Sequence, residues 1–308
     1  MFVNIHKDDT WTVCSGVVDG AEGLSATSAV TLERIVQHEF VGDTKDGGLA
    51  ICLAEADGCS VPLYLQRPDG ALATELTRDV STRSDHNSSP IRKGEVDEVA
   101  MMSEDLGDVY ARCHCGGVNF RITRPNILSR TCSSPWPDLL VPDHSPISRN
   151  REDVKWWLRA NDSKYLAGTC ACRSCRLASG SPIQAWAFIP RANIFQLDGS
   201  PPDLSMDTLK RIESSKGCFR DFCSRCGATV FWNCLERPDL VDVSVGLLRA
   251  PEGARVTSLL DWWTERVSFK EKAFDTMLIE RLEKGLQFIR LADNRTFEGD
   301  EGKFEDPE

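Results

Sequence analysis

Seven cysteines fall in three short clusters: Cys113-His114-Cys115-Gly116-Gly117, Cys170-Ala171-Cys172-Arg173-Ser174-Cys175 and Cys223-Ser224-Arg225-Cys226-Gly227. Thiolate is a soft ligand that suits Zn2+, and Zn2+ takes four ligands in a tetrahedron. Two cysteines one or two residues apart can grip one ion from a single turn. Gly116, Gly117 and Gly227 let the backbone curl close to that ion, because glycine tolerates positive φ. The simplest partition joins Cys113 and Cys115 to Cys223 and Cys226 in a closed, structural four-thiolate site that pins distant parts of a domain together. Cys170, Cys172 and Cys175 then remain to hold a second zinc with its fourth position vacant, the feature that separates catalytic from structural sites. Coordination at a vacant position lowers a thiol's pKa and delivers it as a nucleophile near neutral pH. The other partition, in which the middle cluster completes the closed site, stays open on spacing alone. A thioredoxin-like dithiol is disfavoured, since no βαβ pattern surrounds any pair. His114 stands between two ligands with its side chain directed away from the shared ion. Cys14, Cys52, Cys59, Cys132, Cys218 and Cys234 have no partner spacing, and most of them read as small packed residues.

The segments that must position these clusters read as mainly β. In the main body, residues 109–290, the stretch 118–123 alternates like a half-buried strand, and 183–189 and 228–232 have strand composition. Phe274, Met277, Leu278, Leu282 and Leu286 recur at helical spacing, which predicts an amphipathic helix within 269–286. Residues 291–308 form an acidic tail expected to be disordered. Residues 1–75 are also β-rich. There 11–18 reads as a strand ending at Asp19-Gly20, 49–53 as a buried strand or a helical turn, and 60–65 as an extended stretch before Pro68-Asp69-Gly70. Between the two parts, residues 76–108 are polar, then acidic, and read as a linker. One internal similarity stands out: residues 11–18 resemble 241–248, and each is followed by a turn and a mixed stretch. By this reading the chain begins partway through a first copy of a module whose complete second copy is 109–290.

Composition narrows the function classes. The chain has 308 residues, 41% hydrophobic and 27% charged, which is an ordinary globular balance. A net charge of −11 argues against general nucleic-acid binding, which relies on neutralising phosphates, and against a polybasic membrane contact. No apolar run approaches the ~18 residues of a membrane span. The first residues lack a basic region followed by an apolar core, so no secretory signal is expected. The 13 cysteines are therefore expected in a reducing compartment, the cytoplasm with the nucleus left open. Clustered thiols there point to metal or catalysis before disulfides.

The clusters resemble those of the glutathione-dependent formaldehyde-activating enzyme and centromere protein V family. That family has a C-x-C-G strand start, a C-x-C-x-x-C loop and an F-C-x-x-C-G motif, matched here by Cys113 to Gly116, Cys170 to Cys175 and Phe222 to Gly227. Arg176-Leu177-Ala178-Ser179-Gly180 and Arg220 also suit it. The resemblance implies a zinc-bound β-tent domain with a C-terminal helix. It implies two Zn2+ per chain, one structural at the paired clusters and one at the middle loop, with Cys170, Cys172 and Cys175 in the catalytic role. It further implies a carbon–sulfur lyase reaction converting S-(hydroxymethyl)glutathione to glutathione and formaldehyde, reversibly. Arg173, Arg176 and Arg220 are candidates to attract substrate carboxylates, against the plainer expectation that they are solvated or pair with Asp221 and Glu236. Trp186 and Trp232 are candidate pocket walls, with core packing the competing role. Roughly fifty residues separate Cys115 from Cys170, more than compact relatives need. That insertion carries Trp136, Pro137, Trp156 and Trp157, candidates for a lid, a specificity wall or a partner surface. Residues 1–75 lack the cysteine motifs and resemble the first module of two-module fungal relatives, shortened at its start. The rival readings are a non-catalytic zinc-stabilised binding module and, more weakly, a redox switch built on the C-x-x-C pairs. Pairing with another chain through exposed strand edges is left open.

Overall fold

Strands rich in branched and aromatic residues carry the cysteines, and the turns between them bring the clusters together. The computed structural model describes residues 3–5, 11–17, 35–56, 58–66, 107–137, 140–142, 149–202, 206 and 208–298. The linker expected over 76–108, its last two residues apart, lies outside them, as do 299–308 and the turns expected at Asp19-Gly20 and Pro68-Asp69-Gly70. In chain order the elements are β1 (Val3–Ile5), β2 (Trp11–Val13), β3 (Glu55–Ala56), β4 (Cys59–Ser60), β5 (Val109–Arg112), β6 (Asn119–Ile122), β7 (Leu158–Arg159), β8 (Lys164–Cys170), α1 (Arg173–Ser179), β9 (Gln184–Pro190), β10 (Ile194–Phe195), β11 (Leu209–Ser215), β12 (Cys218–Cys223), β13 (Thr229–Cys234), β14 (Leu240–Ser244), β15 (Leu248–Arg249), β16 (Leu260–Trp262) and α2 (Thr276–Glu298).

The fold is mainly β. One sheet runs β11-β12-β13-β14-β9-β8-β16, with β7 also paired to β8; a second runs β10-β6-β5-β15. Pairing is antiparallel except for β16 on β8. Phe120 of β6 meets Phe231 of β13 with ring centroids 5.1 Å apart, so the two sheets share one core. Trp156 and Trp157 of the insertion are buried in that core, and Trp156 packs edge-on against Phe188 of β9 at 4.9 Å. β6, β9 and β13 fall on the stretches that alternation and composition select.

One ambiguity resolves and one boundary changes. Of the two readings of 49–53, the helical turn holds: Ala50–Leu53 is a short 3-10 helix. Its Cys52 packs with Ile279, Leu282 and Leu286 of α2, while Ala50 packs toward Val41, Ala54 and Leu63. A segment wedged between two small apolar clusters has no sheet edge to join. The C-terminal helix starts later and runs further than 269–286. Asp275 caps it, its Oδ1 accepting from the Leu278 N–H at 2.9 Å, and Lys270–Lys272 forms a separate 3-10 turn. No glycine or proline interrupts the chain from 286 to 298, and the helix continues through Glu298 into the segment expected to be disordered.

The N-terminal part docks on the main body. The Asp46 carboxylate accepts from the backbone N–H groups of Ala254 and Arg255, at 3.1 and 2.9 Å, and from the Arg255 side chain. Gly16 N–H donates to the Gly180 carbonyl at 3.1 Å, and Arg176 donates to the Gly16 carbonyl at 2.7 Å. Local features recur between the similar stretches. β2 leads into a 3-10 turn at Ser15–Val17, and β14 into one at the aligned Val245–Leu247. Phe40 and Phe269 both adopt left-handed backbone (φ 59° and 54°), each just before another 3-10 turn.

Candidate functional site

The turn after β5 and the turn after β12 meet. Cys113, Cys115, Cys223 and Cys226 place their sulfurs within 4.8 Å of one another. Cys115 Sγ lies 3.6 Å from Cys113 Sγ and 3.5 Å from Cys223 Sγ. A Zn–S bond of about 2.3 Å in a tetrahedron sets ligand sulfurs about 3.8 Å apart, so the donor set fits such an ion. The two turns are built alike. Gly116 N–H donates to the Cys113 carbonyl and Gly227 N–H to the Cys223 carbonyl, and both glycines are left-handed (φ 72° and 77°). Electrostatics favour thiolate on one side. Burial acts to raise the Cys223 thiol, but a hydrogen bond with the Thr208 hydroxyl and backbone N–H groups outweigh it and bring it down to about 6. Cys226 is likewise lowered, and at Cys115 the Gly117 N–H acts to lower the thiol, but desolvation and hydrogen bonds with the neighbouring thiols prevail and push it up to about 11. The structure thus selects the first partition of the cysteines, and His114 is exposed as expected.

Cys170, Cys172 and Cys175 converge separately at the end of β8 and the start of α1. Cys172 is the residue just before α1, and its Sγ accepts from Cys175 N–H at 3.3 Å. Hydrogen bonds from the Cys170 and Cys175 thiols push Cys172 far below the usual thiol range. Cys170 is held well above that range, chiefly by its bond to Cys172. Cys175 rises to about 11: the contact with Cys170 lowers it, but the contact with Cys172 and burial prevail. The hydrogen bonds therefore favour thiolate at Cys172 over its two neighbours. Trp186 Nε1 donates to Cys175 Sγ at 3.4 Å, and Arg220 Nη2 at 3.3 Å.

The trio opens onto a cavity of about 710 Å³, the size of a small-molecule site. Its floor follows from strand register. Phe188 on β9 faces Asp242 on β14, which faces Trp232 on β13, which faces Arg220 on β12. Directly opposed residues share a face, so the four side chains form a row, and all four line the cavity. Pro135, Trp136, Val141, Pro142 and Arg149 of the insertion form another wall.

The three candidate arginines part company. Arg220, 5% exposed, donates through Nε to Ser174 Oγ at 3.1 Å, and its buried Nη1 meets no hydrogen-bond partner among the described residues. Asp221 does not pair with it; that carboxylate is held by Arg211 and Asn233 on the other face of β12. Arg176 is buried away from the cavity, over the Phe274 ring, where it ties down Gly16. Arg173 is exposed and does not line the cavity. Successive helical residues point about 100° apart, so with Cys175 turned inward on α1, positions 173 and 176 face elsewhere. Trp186 and Trp232 both line the cavity. Sequence reasoning passed over Arg149 and Asp242, and took Glu236 only as a pairing partner for the arginines. Among the described residues Glu236 and Asp242 are the two carboxylates at the cavity; Asp242 is 5% exposed and bound at 2.7 Å by the fully buried Arg237. Only strand register could have found Asp242.

This arrangement, an open thiol trio beside a closed thiol tetrad, can be set against known proteins. Residues 154–266 match the family of glutathione-dependent formaldehyde-activating enzymes. The match takes in the trio and the Cys223/Cys226 turn of the tetrad; Cys113 and Cys115 lie upstream of it. No curated protein matches the chain. Among solved structures, a crystal structure of a Rhodobacter sphaeroides protein aligns with 15% identity over 50% of this chain and 99% of that one, with a TM-score of 0.28. Among the described residues no helix is long and apolar enough to cross a membrane.

Proposed function

We propose that the protein is a zinc-dependent carbon–sulfur lyase of the formaldehyde-activating type, acting on a thiol–aldehyde adduct such as S-(hydroxymethyl)glutathione. One observation carries the reading: three converging thiols, one of them strongly acidic, open onto a cavity of substrate size within the segment matching the family. A zinc ion held by Cys170, Cys172 and Cys175 would stabilise sulfur as thiolate in the cavity. The chain's own residues supply the rest. Arg220 and Arg149 place positive charge on the cavity wall, where an acidic peptide thiol would bring its carboxylates. Trp136, Trp186 and Trp232 present flat apolar surface and exclude water from the reacting carbon. Asp242, fixed by Arg237, lines the cavity and would take the hydroxyl proton of the adduct. As that O–H breaks, the C=O bond of the aldehyde forms and the C–S bond breaks with its electron pair going to sulfur. The proton finally resides on the released thiol, and the reverse path joins thiol to aldehyde.

The test joins metal counting to turnover. The purified protein should carry two zinc ions per chain and hasten exchange between glutathione plus formaldehyde and the adduct, followed by NMR. Cys172→Ser should lose one zinc and the activity, and Asp242→Asn should lower kcat by roughly 10²-fold with both zinc ions retained. One zinc per chain with no thiol-dependent turnover would leave the binding-module reading in its place.

A further inference from the structure

Cys218 and Cys234 stand outside both thiol clusters, and nothing in their sequence spacing pairs them. Strand register does: Cys218 on β12 lies directly opposite Cys234 on β13. Leu235 N–H donates to the Gly217 carbonyl at 2.9 Å, so 217/235 is a hydrogen-bonded pair and the adjoining 218/234 is a non-hydrogen-bonded one. Such pairs hold their Cα atoms about 4.5 Å apart with both side chains on one face. A disulfide spans Cα separations of about 4.4–6.8 Å, so these sulfurs can join without moving the strands. Both are free thiols, and they are unequal. Cys218 is half-buried and lines the cavity, whereas Cys234 is 3% exposed and does not. They lie on the same sheet face as Arg220 and Trp232, two residues along each strand.

We infer that Cys218 and Cys234 form a dithiol–disulfide redox site on the cavity wall, oxidised by the small-molecule disulfide of a thiol that the cavity admits. Cys218, the accessible sulfur, attacks first. Its thiolate breaks the S–S bond of the small disulfide, one small thiolate leaves, and a mixed disulfide forms on Cys218. Cys234 then gives up its proton and attacks Cys218 Sγ, expelling the second small thiolate and closing the protein disulfide. Two electrons pass from the protein dithiol to the small disulfide, and two protons end on the released thiols. Burial, the largest influence on Cys234, raises that thiol and keeps it protonated in the resting state, so Cys218 is the sulfur that reacts first. The site stands independently of the lyase reading, since neither metal cluster takes part.

The experiment incubates the full-length, zinc-loaded protein with oxidised glutathione at graded ratios to reduced glutathione. Free thiols are then alkylated, peptides mapped by mass spectrometry and released zinc measured. The expected result is a Cys218–Cys234 disulfide with all zinc retained. Cys234→Ser should stop at one glutathionyl group on Cys218, and Cys218→Ser should leave Cys234 unmodified. Three results would overturn the inference: both cysteines fully alkylated at every ratio, wild-type protein halting at the mixed disulfide, or cluster cysteines oxidising with zinc release before this pair reacts. Lyase turnover assayed in parallel separates the two readings, because exchange at Cys218 does not require it.

Discussion

Arg220 makes two contacts that a plain positive charge could not make together. Its guanidinium reaches Ser174 Oγ through Nε and Cys175 Sγ through Nη2, while the buried Nη1 meets no hydrogen-bond partner among the described residues. A planar fork can bridge a helix residue, a ligand sulfur and a substrate group at fixed angles; an ammonium on a flexible stem cannot. Arg220→Lys therefore tests geometry against charge. Groups that hydrogen-bond metal ligands typically account for about 10–100-fold in metal affinity. The lysine variant should lose roughly that factor at the trio, read by chelator competition, with the tetrad unaffected. The KM for the thiol should rise as well. Wild-type affinity and KM in Arg220→Lys would show that charge alone is used there. The same residue shows what a motif can reveal: position 220 could be picked from sequence, but its inward direction depends on the register of β12 against β13. Arg173 and Arg176 were equally eligible in sequence and are turned aside by the pitch of α1.

Elements were legible in proportion to how local their causes are. Alternation located β6, branched and aromatic composition located β9 and β13, and apolar spacing located α2, because each signal lies within the element itself. The 3-10 helix Ala50–Leu53 was ambiguous because its partner, α2, lies more than two hundred residues away in sequence. Their contact is tight enough to make Gly285 a test. A Cβ at that position would lie 1.8 Å from the Cys52 carbonyl oxygen. Gly→Ala within a helix ordinarily gains about 1 kcal/mol. Here the clash is with backbone, and overpacking costs of about 1–3 kcal/mol or more should win. Gly285→Ala should thus lower the urea midpoint, and an unchanged or raised midpoint would show that α2 does not press on Cys52. The same interface carries a pH signature. Burial, partly offset by Arg255, raises the Cys52 thiol from 9.0 to about 12. The folded state favours its protonated form, so this contribution is complete below about pH 9 and fades as pH rises toward 12. Thermal melts from pH 8 to 10.5 should fall more steeply for wild type than for Cys52→Ala.

Across the whole molecule the two thiol clusters bear unequal structural weight. The tetrad joins the β5–β6 turn of one sheet to the β12–β13 turn of the other across 108 residues. By loop-closure reasoning, a crosslink of that span stabilises by about 4–5 kcal/mol. The trio closes a loop of a few residues, and that loop is already held without metal. Cys170 pairs with Gln184 in the β8–β9 ladder, and Ala171 N–H donates to the Ser268 carbonyl at 2.9 Å. Removing metal should therefore proceed in two separable steps. Cys172→Ser should lose the trio's ion while its Tm stays within about 3 °C of wild type. Cys223→Ser should lose the tetrad's ion, and a loss of about 3 kcal/mol corresponds to a Tm lower by roughly 6–12 °C in a domain of this size. Zinc content and melting curves on the same samples read both quantities. Equal falls in Tm for the two variants would mean that the trio, too, holds the sheets together, and that the division into a structural and an open centre is misplaced.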